Sequence, residues 1–209
     1  MSYAVKEIFY TLQGEGANTG RAAVFCRFAG CNLWSGREAD RATATCNFCD
    51  TDFVGADGPG GGSFAVADEL ADAIRQAWRE GGKPFVVCTG GEPLLQMDEA
   101  LTQAMHRRDC IIAVETNGTV QPPAGLDWIC VSPKAGTELA LTSGDELKLI
   151  YPQSGIEPEQ FENLNFRYFF LQPMDGPDVG MNTGRALQYC LEHPQWRLSL
   201  QTHKLLGIR

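Results

Sequence analysis

Three cysteines in polar sequence are the residues whose chemistry is easiest to predict. Cys31, Cys46 and Cys49 lie in loop-like segments with the spacing Cys31-x14-Cys46-x2-Cys49. Thiolates are soft ligands, and a Cys-x-x-Cys pair suits both zinc and an iron–sulfur cluster. A structural zinc site normally has four ligands, whereas three cysteines on a four-iron cluster leave one iron open for chemistry. The spacing alone leaves both sites as alternatives.

The other five cysteines lie in or beside apolar runs. Structural disulfides are not expected in a reducing compartment, and free cysteine there behaves as a small buried hydrophobe. We therefore predict a packing role for Cys26, Cys88, Cys110, Cys130 and Cys190.

The elements that position these residues alternate between short β-rich runs and amphipathic segments, which is typical of a parallel sheet with helices outside. The predicted helices cover residues 66–80, 95–108, 157–164 and 179–192, and Gly81-Gly82 is predicted to end the first. The predicted strands are 6–10 (an edge strand), 22–28, 84–88, 111–115, 128–132, 146–151, 167–172 and 197–201. We expect an α/β fold, an open, partial TIM-like β/α barrel of about six to seven parallel strands. Residues 1–209 would form a single domain with a polar insertion at about 35–45 and a flexible loop at 57–63.

Polar groups follow several of the predicted strands. Parallel sheets bind ligands at the carboxyl ends of their strands, so these groups are expected to face one cavity. They are Thr89-Gly90-Gly91-Glu92, Glu115-Thr116-Asn117, Ser132-Pro133-Lys134 and Gln172-Pro173-Met174-Asp175.

Charge and hydropathy indicate what kind of molecule the protein binds. The 209 residues carry a formal net charge of -9 and show no Lys/Arg cluster, whereas a nucleic-acid binder normally presents a cationic surface. No secretory signal is evident, and the longest apolar runs are too short to cross a bilayer. We therefore expect a cytoplasmic protein that acts on a small molecule and binds neither nucleic acid nor membrane.

Two features beside the cysteines carry a resemblance. Phe48 lies between the paired cysteines, and Thr89-Gly90-Gly91-Glu92-Pro93 follows a strand. This combination resembles the radical S-adenosylmethionine (SAM) superfamily. In that superfamily three cysteines hold a [4Fe-4S] cluster, SAM chelates the open iron, and the Gly-Gly-Glu turn binds the SAM amino group mainly through backbone carbonyls. The spacing departs from the usual pattern, which would place the second cysteine at Ser35, so Cys46 must reach back across the polar insertion.

A narrower resemblance covers nearly the whole chain. Its segments are similar to the 7-carboxy-7-deazaguanine synthase family of the queuosine pathway. They are residues 7–16, 25–33, 49–51, 115–118, 132–134, 171–175 and 201–204. The resemblance implies that SAM is cleaved to methionine and a 5′-deoxyadenosyl radical, which takes a hydrogen from carbon 6 of 6-carboxy-5,6,7,8-tetrahydropterin. The pterin ring then contracts with loss of ammonia. It also implies Mg²⁺, a protein reductant such as flavodoxin or ferredoxin, and a homodimer.

The resemblance assigns the site residues. The catalytic cluster would be held by Cys31, Cys46 and Cys49, and Mg²⁺ by Thr51. Substrate would be bound by Leu12, Gln13, Gly14, Glu15, Arg27, Thr89, His203 and Arg209, with the Arg27 fork on the substrate carboxylate. SAM and its cluster would be contacted by Phe48, Asp50, Gly91, Glu92, Ser132, Pro133, Lys134, Gln172, Pro173, Met174 and Asp175. Glu115 and Asn117 would line the same cavity.

Several alternatives remain open at this level. Without the resemblance Arg27 would be explained as a paired or solvated arginine, and Thr51 is equally well explained as the N-cap of a helix. A radical SAM activase that places a glycyl radical on a partner protein would share the cluster but would need a docking groove and no pterin contacts. A zinc-binding module without enzymatic activity would need only the thiolates.

Overall fold

A computed structural model of the chain describes residues 2–79 and 81–209. Its first strand, β1 (Tyr3–Leu12), pairs antiparallel with β2 (Ala22–Phe28) on one side and with the short β3 (Gly62–Phe64) on the other. Tyr3 and Val5 are buried because the pleat turns alternate β1 side chains toward the core. This antiparallel unit forms one end of the sheet.

From β2 onward the sheet is parallel. The strands that follow are β4 (Phe85–Gly90), β5 (Ile111–Thr116), β6 (Trp128–Val131), β7 (Ser143–Tyr151), β8 (Asn165–Pro173) and β9 (Trp196–Leu198). The strand order is β3-β1-β2-β4-β5-β6-β7-β8-β9, and each pair from β2 to β9 is parallel. The seven parallel strands form an open sheet, as the predicted partial barrel requires.

Helices cover the sheet and bury their apolar faces against it. In α1 (Ala67–Ala77), Leu70 and Ile74 are fully buried, and each contributes about 2 kcal/mol of hydrophobic stabilisation. α2 (Glu99–His106) begins at Asp98, whose carboxylate accepts from the Leu101 N–H at 2.9 Å. α3 (Val179–Glu192) and the short α4 (Thr202–Leu206) follow β8 and β9. The predicted helix at 179–192 is confirmed.

Other predicted helices differ from the structure. Residues 157–164 form only a 3-10 turn at Pro158–Gln160, because Phe161 is drawn into the core and β8 already begins at Asn165. α1 ends at Ala77, ahead of the glycine pair predicted to stop it, and Glu80, the last residue of the prediction, lies outside the described residues. The prediction at 95–108 is shortened to α2.

The strand predictions fail mainly at the antiparallel end and at the last strand. β1 is longer than the predicted 6–10 and lies inside the sheet, because β3 covers its outer side. β3 itself lies partly in the segment predicted as a flexible loop. The last predicted strand, 197–201, is shortened to β9, and α4 follows it.

The packing role predicted for five cysteines is confirmed for those that lie in the core. The buried ones are Cys26, Cys88, Cys110 and Cys130. Cys190 lies on α3 and is only partly buried, but it also packs against the core. α3 covers the sheet from outside and exposes one of its faces to solvent.

Within residues 2–79 and 81–209, no helix combines the length and the apolar character that crossing a membrane requires.

Candidate active site

The predicted polar strand ends face one cavity of about 360 Å³ at the carboxyl edge of the parallel sheet. This placement follows from parallel pairing, which brings the ends of successive strands to the same edge. All predicted site residues except Glu92 and Pro133 line it. They are Leu12, Gln13, Gly14, Glu15, Arg27, Cys31, Cys46, Phe48, Cys49, Asp50, Thr51, Thr89, Gly91, Ser132, Lys134, Gln172, Pro173, Met174, Asp175, His203 and Arg209. Glu115 and Asn117 line it as well.

The polar insertion folds as a compact loop that brings Cys46 back toward Cys31. A 3-10 helix spans Glu38–Thr43, and the Cys46 N–H donates to the Leu33 carbonyl at 3.3 Å. Ser35, at the usual place of the second cysteine, is exposed. The long first spacing is therefore closed by backbone pairing beside the cavity.

Arg41 connects this insertion to the Cys-x-x-Cys segment. Its guanidinium donates to the carbonyls of Asn47 at 3.1 Å and Cys49 at 2.9 Å. It also pairs with Glu38 at 2.8 Å and stacks over the Trp34 ring, 4.1 Å from the ring centre. The Arg41 side chain thus connects both arms of residues 31–49, which we call the cysteine loop.

The three thiols have different environments. A hydrogen bond between Cys46 and Cys49 raises the pKa of Cys46 and lowers the pKa of Cys49 to about 6. Burial raises the pKa of Cys31, although the Leu33 N–H donates to its sulfur at 3.4 Å. The buried ammonium of Lys134 favours thiolates at Cys46 and Cys49. These are donor groups that fit an iron–sulfur cluster.

The Gly90-Gly91 turn after β4 passes very close to the end of β2. A Cβ on Gly91 would lie 1.9 Å from the Gly30 carbonyl oxygen, and one on Gly90 would lie 2.2 Å from that of Phe28. Gly90 also has φ of 126°, a region that side chains disfavour. Two glycines are required so that this turn can lie beside the loop that carries Cys31.

Glu92 and Pro133 are held behind the cavity wall. The Glu92 carboxylate accepts from the N–H groups of Leu94 and Asn117 and from the Thr116 hydroxyl, at 2.8 to 3.0 Å. It is fully buried, and burial raises its pKa. The Pro133 carbonyl accepts from the Gln153 side chain at 3.2 Å. Their side chains support the wall from behind.

Lys204 joins two segments of the cavity wall that are distant along the chain. Its ammonium lies 2.5 Å from a carboxylate oxygen of Asp50, next to Cys49, and 2.5 Å from one of Asp175, after β8. Both aspartates were predicted to bind SAM, and here they pair with a lysine on α4. The C-terminal helix therefore fixes the cysteine loop relative to β8.

The segment after β1 is anchored by the same helix. The Gly14 carbonyl accepts from the Thr202 N–H at 3.0 Å and from its hydroxyl at 2.9 Å. A Cβ on Gly14 would lie 2.3 Å from His203 Nδ1, so only glycine allows this approach. The contact places His203 beside the backbone of Gln13 and Glu15, which line the cavity.

Arg27 lines the cavity and also forms an ion pair, so the structure is compatible with both a substrate ligand and a paired arginine. Its Nε donates to a Glu7 carboxylate oxygen at 2.9 Å, and Arg209 pairs with the other oxygen. Both guanidiniums lie near the Phe9 ring, with centroid distances of 5.9 Å for Arg27 and 4.8 Å for Arg209. Two cations around one carboxylate leave a net positive charge at this wall.

Thr51 lines the cavity in irregular structure, and no helix begins there, so the N-cap alternative is wrong. In the part of the chain that the structure describes, no group of three or more His, Cys, Asp or Glu side chains is arranged around a single metal ion. The thiolates of an iron–sulfur cluster bind different iron atoms, and Mg²⁺ usually keeps waters and substrate oxygens as ligands.

Among the cavity residues that the sequence analysis did not single out are the polar residues Lys148, Gln201 and Lys204. For Lys148 a signal existed, since it alternates with Glu146 in the otherwise apolar predicted strand 146–151, and charge inside a central parallel strand is unusual. Gln201 and Lys204 lie in residues 201–204, a segment of the family resemblance. Because α4 was not predicted, the sequence did not show that their side chains face the cavity.

Comparisons with known proteins agree with this geometry. The family model described as the radical SAM superfamily matches residues 40–150, a stretch that starts after Cys31. The chain is 68% identical to the 7-carboxy-7-deazaguanine synthase of Bradyrhizobium diazoefficiens and 64% identical to that of Bordetella pertussis. Each alignment covers 100% of both chains.

A solved structure shares the fold. The crystal structure of QueE from Escherichia coli matches with a TM-score of 0.70 at 27% identity, and the match covers 96% of this chain and 94% of that one. The likeness therefore includes both the antiparallel end of the sheet and the elements around the cavity.

Proposed function

The chain belongs to the radical SAM superfamily and, within it, to the family of 7-carboxy-7-deazaguanine synthases, and we propose that it contracts 6-carboxy-5,6,7,8-tetrahydropterin to 7-carboxy-7-deazaguanine with loss of ammonia. One observation carries the proposal for this chain. The three cysteines of the Cys31-x14-Cys46-x2-Cys49 pattern and the polar residues suited to a pterin carboxylate and edge line the same cavity.

The cysteine side of the cavity suits the cofactors. Cys31, Cys46 and Cys49 would hold a [4Fe-4S] cluster, and the cluster with bound SAM would supply an organic radical that removes a hydrogen atom from the substrate. Gly91, Ser132 and Lys134 line the same cavity as the three cysteines, which supports a role for the Gly91 backbone and for the other two side chains in binding SAM. Lys134 is held by the Ser132 carbonyl at 2.6 Å and hydroxyl at 2.8 Å, so its ammonium has a fixed direction.

Other residues of the cavity suit the pterin. Arg27 and Arg209 supply positive charge for the substrate carboxylate, and Gln13 and Glu15 supply donors and acceptors for the guanine-like edge. His203 is oriented by its contact with Gly14. The activase and zinc-module alternatives leave these groups without a use.

Four further features belong to the proposal. Thr51 would bind Mg²⁺ together with waters and substrate oxygens, since Mg²⁺ prefers hard oxygen ligands. A small reductant protein such as flavodoxin or ferredoxin would supply the electron, the enzyme would be a homodimer, and residues 1–209 would act as a single domain.

Anaerobic reconstitution with iron and sulfide tests the proposal. We expect a reduced cluster visible by electron paramagnetic resonance, and conversion of the pterin to 7-carboxy-7-deazaguanine detected by mass spectrometry. Cys46→Ala should lose the cluster, whereas Cys190→Ala, which changes a cysteine on α3, should keep it. A reconstituted enzyme that cleaves SAM and leaves the pterin unchanged would contradict the proposed substrate.

A further inference from the structure

Lys148 is a buried lysine in the middle of the parallel sheet. It lies in β7 between Leu147 and Leu149, both fully buried, and its own side chain is 4% exposed. Lysine is almost never fully buried unless it is paired, because desolvating an ammonium is expensive. Its side chain reaches the cavity, which suggests a use there.

Two carboxylates from distant parts of the chain hold this ammonium. Its Nζ contacts Glu15, in the segment after β1, and lies 3.4 Å from Glu115, on β5. Glu15 also accepts from Gln201 at 3.1 Å, and Glu115 accepts from Gln13 at 2.9 Å. Lys148 is the centre of a network that connects both ends of the chain.

The charges in this network are strongly coupled. Burial would raise the pKa of Glu15, but the charge and hydrogen bond of Lys148, with bonds from Gln201 and Gln172, lower it to about 2. Burial would lower the pKa of Lys148, and the carboxylates of Glu115 and Glu15 raise it well above its ordinary value. Both groups are ionised at neutral pH.

The geometry limits what Glu15 can accept from a ligand. A carboxylate has about four lone-pair directions, and Lys148 and Gln201 take one on each Glu15 oxygen. A bond from Gln172 takes a third direction, so one remains to accept an N–H group from a ligand. The 2-amino group on the pyrimidine edge of a pterin presents such an N–H.

We propose that Lys148 is a positioning residue that fixes the Glu15 carboxylate as the acceptor for the amino-pyrimidine edge of the substrate. The proposal rests on the proposed function and adds a residue that determines specificity for a 2-amino ring. Lys148 acts through Glu15, and its own ammonium is occupied by the two carboxylates.

The test compares two stable oxidised ligands that differ only at this edge. 6-Carboxypterin carries the 2-amino group, and 6-carboxylumazine carries an oxygen in its place. Calorimetric titration of the reconstituted, SAM-bound enzyme should show that wild type prefers the pterin. Lys148→Met should bind the pterin about 30-fold more weakly and the lumazine about as well as wild type, since one charge-assisted hydrogen bond sets the difference. The preference itself should then disappear.

This readout separates positioning from simple structural support. Loss of packing would weaken both ligands equally, and that result, or an unchanged preference, would overturn the proposal. Lys148→Arg, which keeps the positive charge, should keep the preference for the pterin. Wild-type enzyme that binds neither ligand would instead contradict the proposed function.

A second variant protects the test against unfolding. Lys148→Met leaves two buried carboxylates without a cation, which can destabilise the chain. The double variant Lys148→Met/Glu115→Gln removes one of those charges and should show the same lost preference. A thermal melt of each variant confirms that the titrated protein is folded.

Discussion

The Glu92 carboxylate links the turn after β4 to the end of β5 through three hydrogen bonds. Both oxygens are used, since one accepts from the Leu94 N–H and the Thr116 hydroxyl and the other from the Asn117 N–H. A buried acceptor that satisfies three donors stabilises its surroundings, because each donor left alone would carry a desolvation penalty. The position of the Gly90-Gly91 turn therefore depends on Glu92.

Glu92→Gln provides a prediction at this scale. The amide keeps one acceptor oxygen and turns an NH₂ group toward at least one N–H donor, so the free energy of unfolding should fall by about 2 kcal/mol. Urea unfolding followed by circular dichroism measures this. Glu138→Gln, at an exposed position, is the matched control and should change stability little. Equal stability of the two variants would mean that the three hydrogen bonds contribute nothing.

Individual residues also show how far the sequence could be interpreted. The motif around the cysteines correctly predicted one part of the cavity lining, because cysteines at this spacing are typical of metal-binding chemistry. It did not distinguish the Glu92 side chain, which faces away, from the neighbouring Gly91 backbone, which faces the cavity. Partners distant along the chain, such as Lys148 with Glu15 or Lys204 with Asp50, follow from tertiary folding and leave no local pattern.

At the scale of elements, the insertion between the first two cysteines is the part that is specific to this chain's spacing. Its 3-10 helix has no buried residue, so hydrophobic burial does not hold it in place. The 3-10 helix is held instead by Arg41, which contacts the backbone of Asn47 and Cys49 and the Trp34 ring. A loop that depends largely on polar contacts should open more readily than the sheet.

Arg41→Ala should therefore loosen the cysteine loop and leave the sheet intact. Losing two charge-assisted hydrogen bonds should speed amide exchange of residues 46–49 by about tenfold or more, as measured by hydrogen–deuterium exchange and mass spectrometry. Arg37→Ala, an exposed arginine in the same insertion, serves as the control. Unchanged exchange in Arg41→Ala would show that the backbone contact between Leu33 and Cys46 is sufficient.

Elements with strong local patterns were predictable, and the others depended on context. Buried parallel strands such as β4 and β5 are short apolar runs that end in polar groups, and their positions were found within about two residues. β3 has only three residues, Gly62–Phe64, and exists because β1 offers an edge to pair with. The 3-10 turn at Pro158–Gln160 replaced a helix because Phe161 packs into the core.

At the scale of the whole molecule, the open parallel sheet was predictable from strand–helix alternation, whereas its antiparallel end was not. The order of the parallel strands follows their order in the chain. The addition of β1 and β3 on the outer side of β2 depends on tertiary contacts, and no local sequence pattern predicts it. It brings the Gln13–Glu15 segment to the cavity that the three cysteines also line.

A single continuous sheet should unfold as a unit, and three tryptophans are placed to test this. Trp78 follows α1, Trp128 begins β6, and Trp196 begins β9. Trp78 and Trp196 belong to one cluster of buried side chains that also contains Tyr3, and Trp128 packs against a second, smaller cluster that includes Phe85 and Val87. With 5-fluorotryptophan incorporated and each resonance assigned by a Trp→Phe variant, we expect all three folded signals to disappear at the same urea concentration, within about 0.3 M. The sheet has no gap between strands at which one part can separate while keeping its own core. Trp34 reports on the cysteine loop and is expected to respond first, since the 3-10 helix of that loop buries no side chain. If Trp196 were lost well before Trp78, the β8–β9 end would be a separate folding unit, and the single-domain proposal would be wrong.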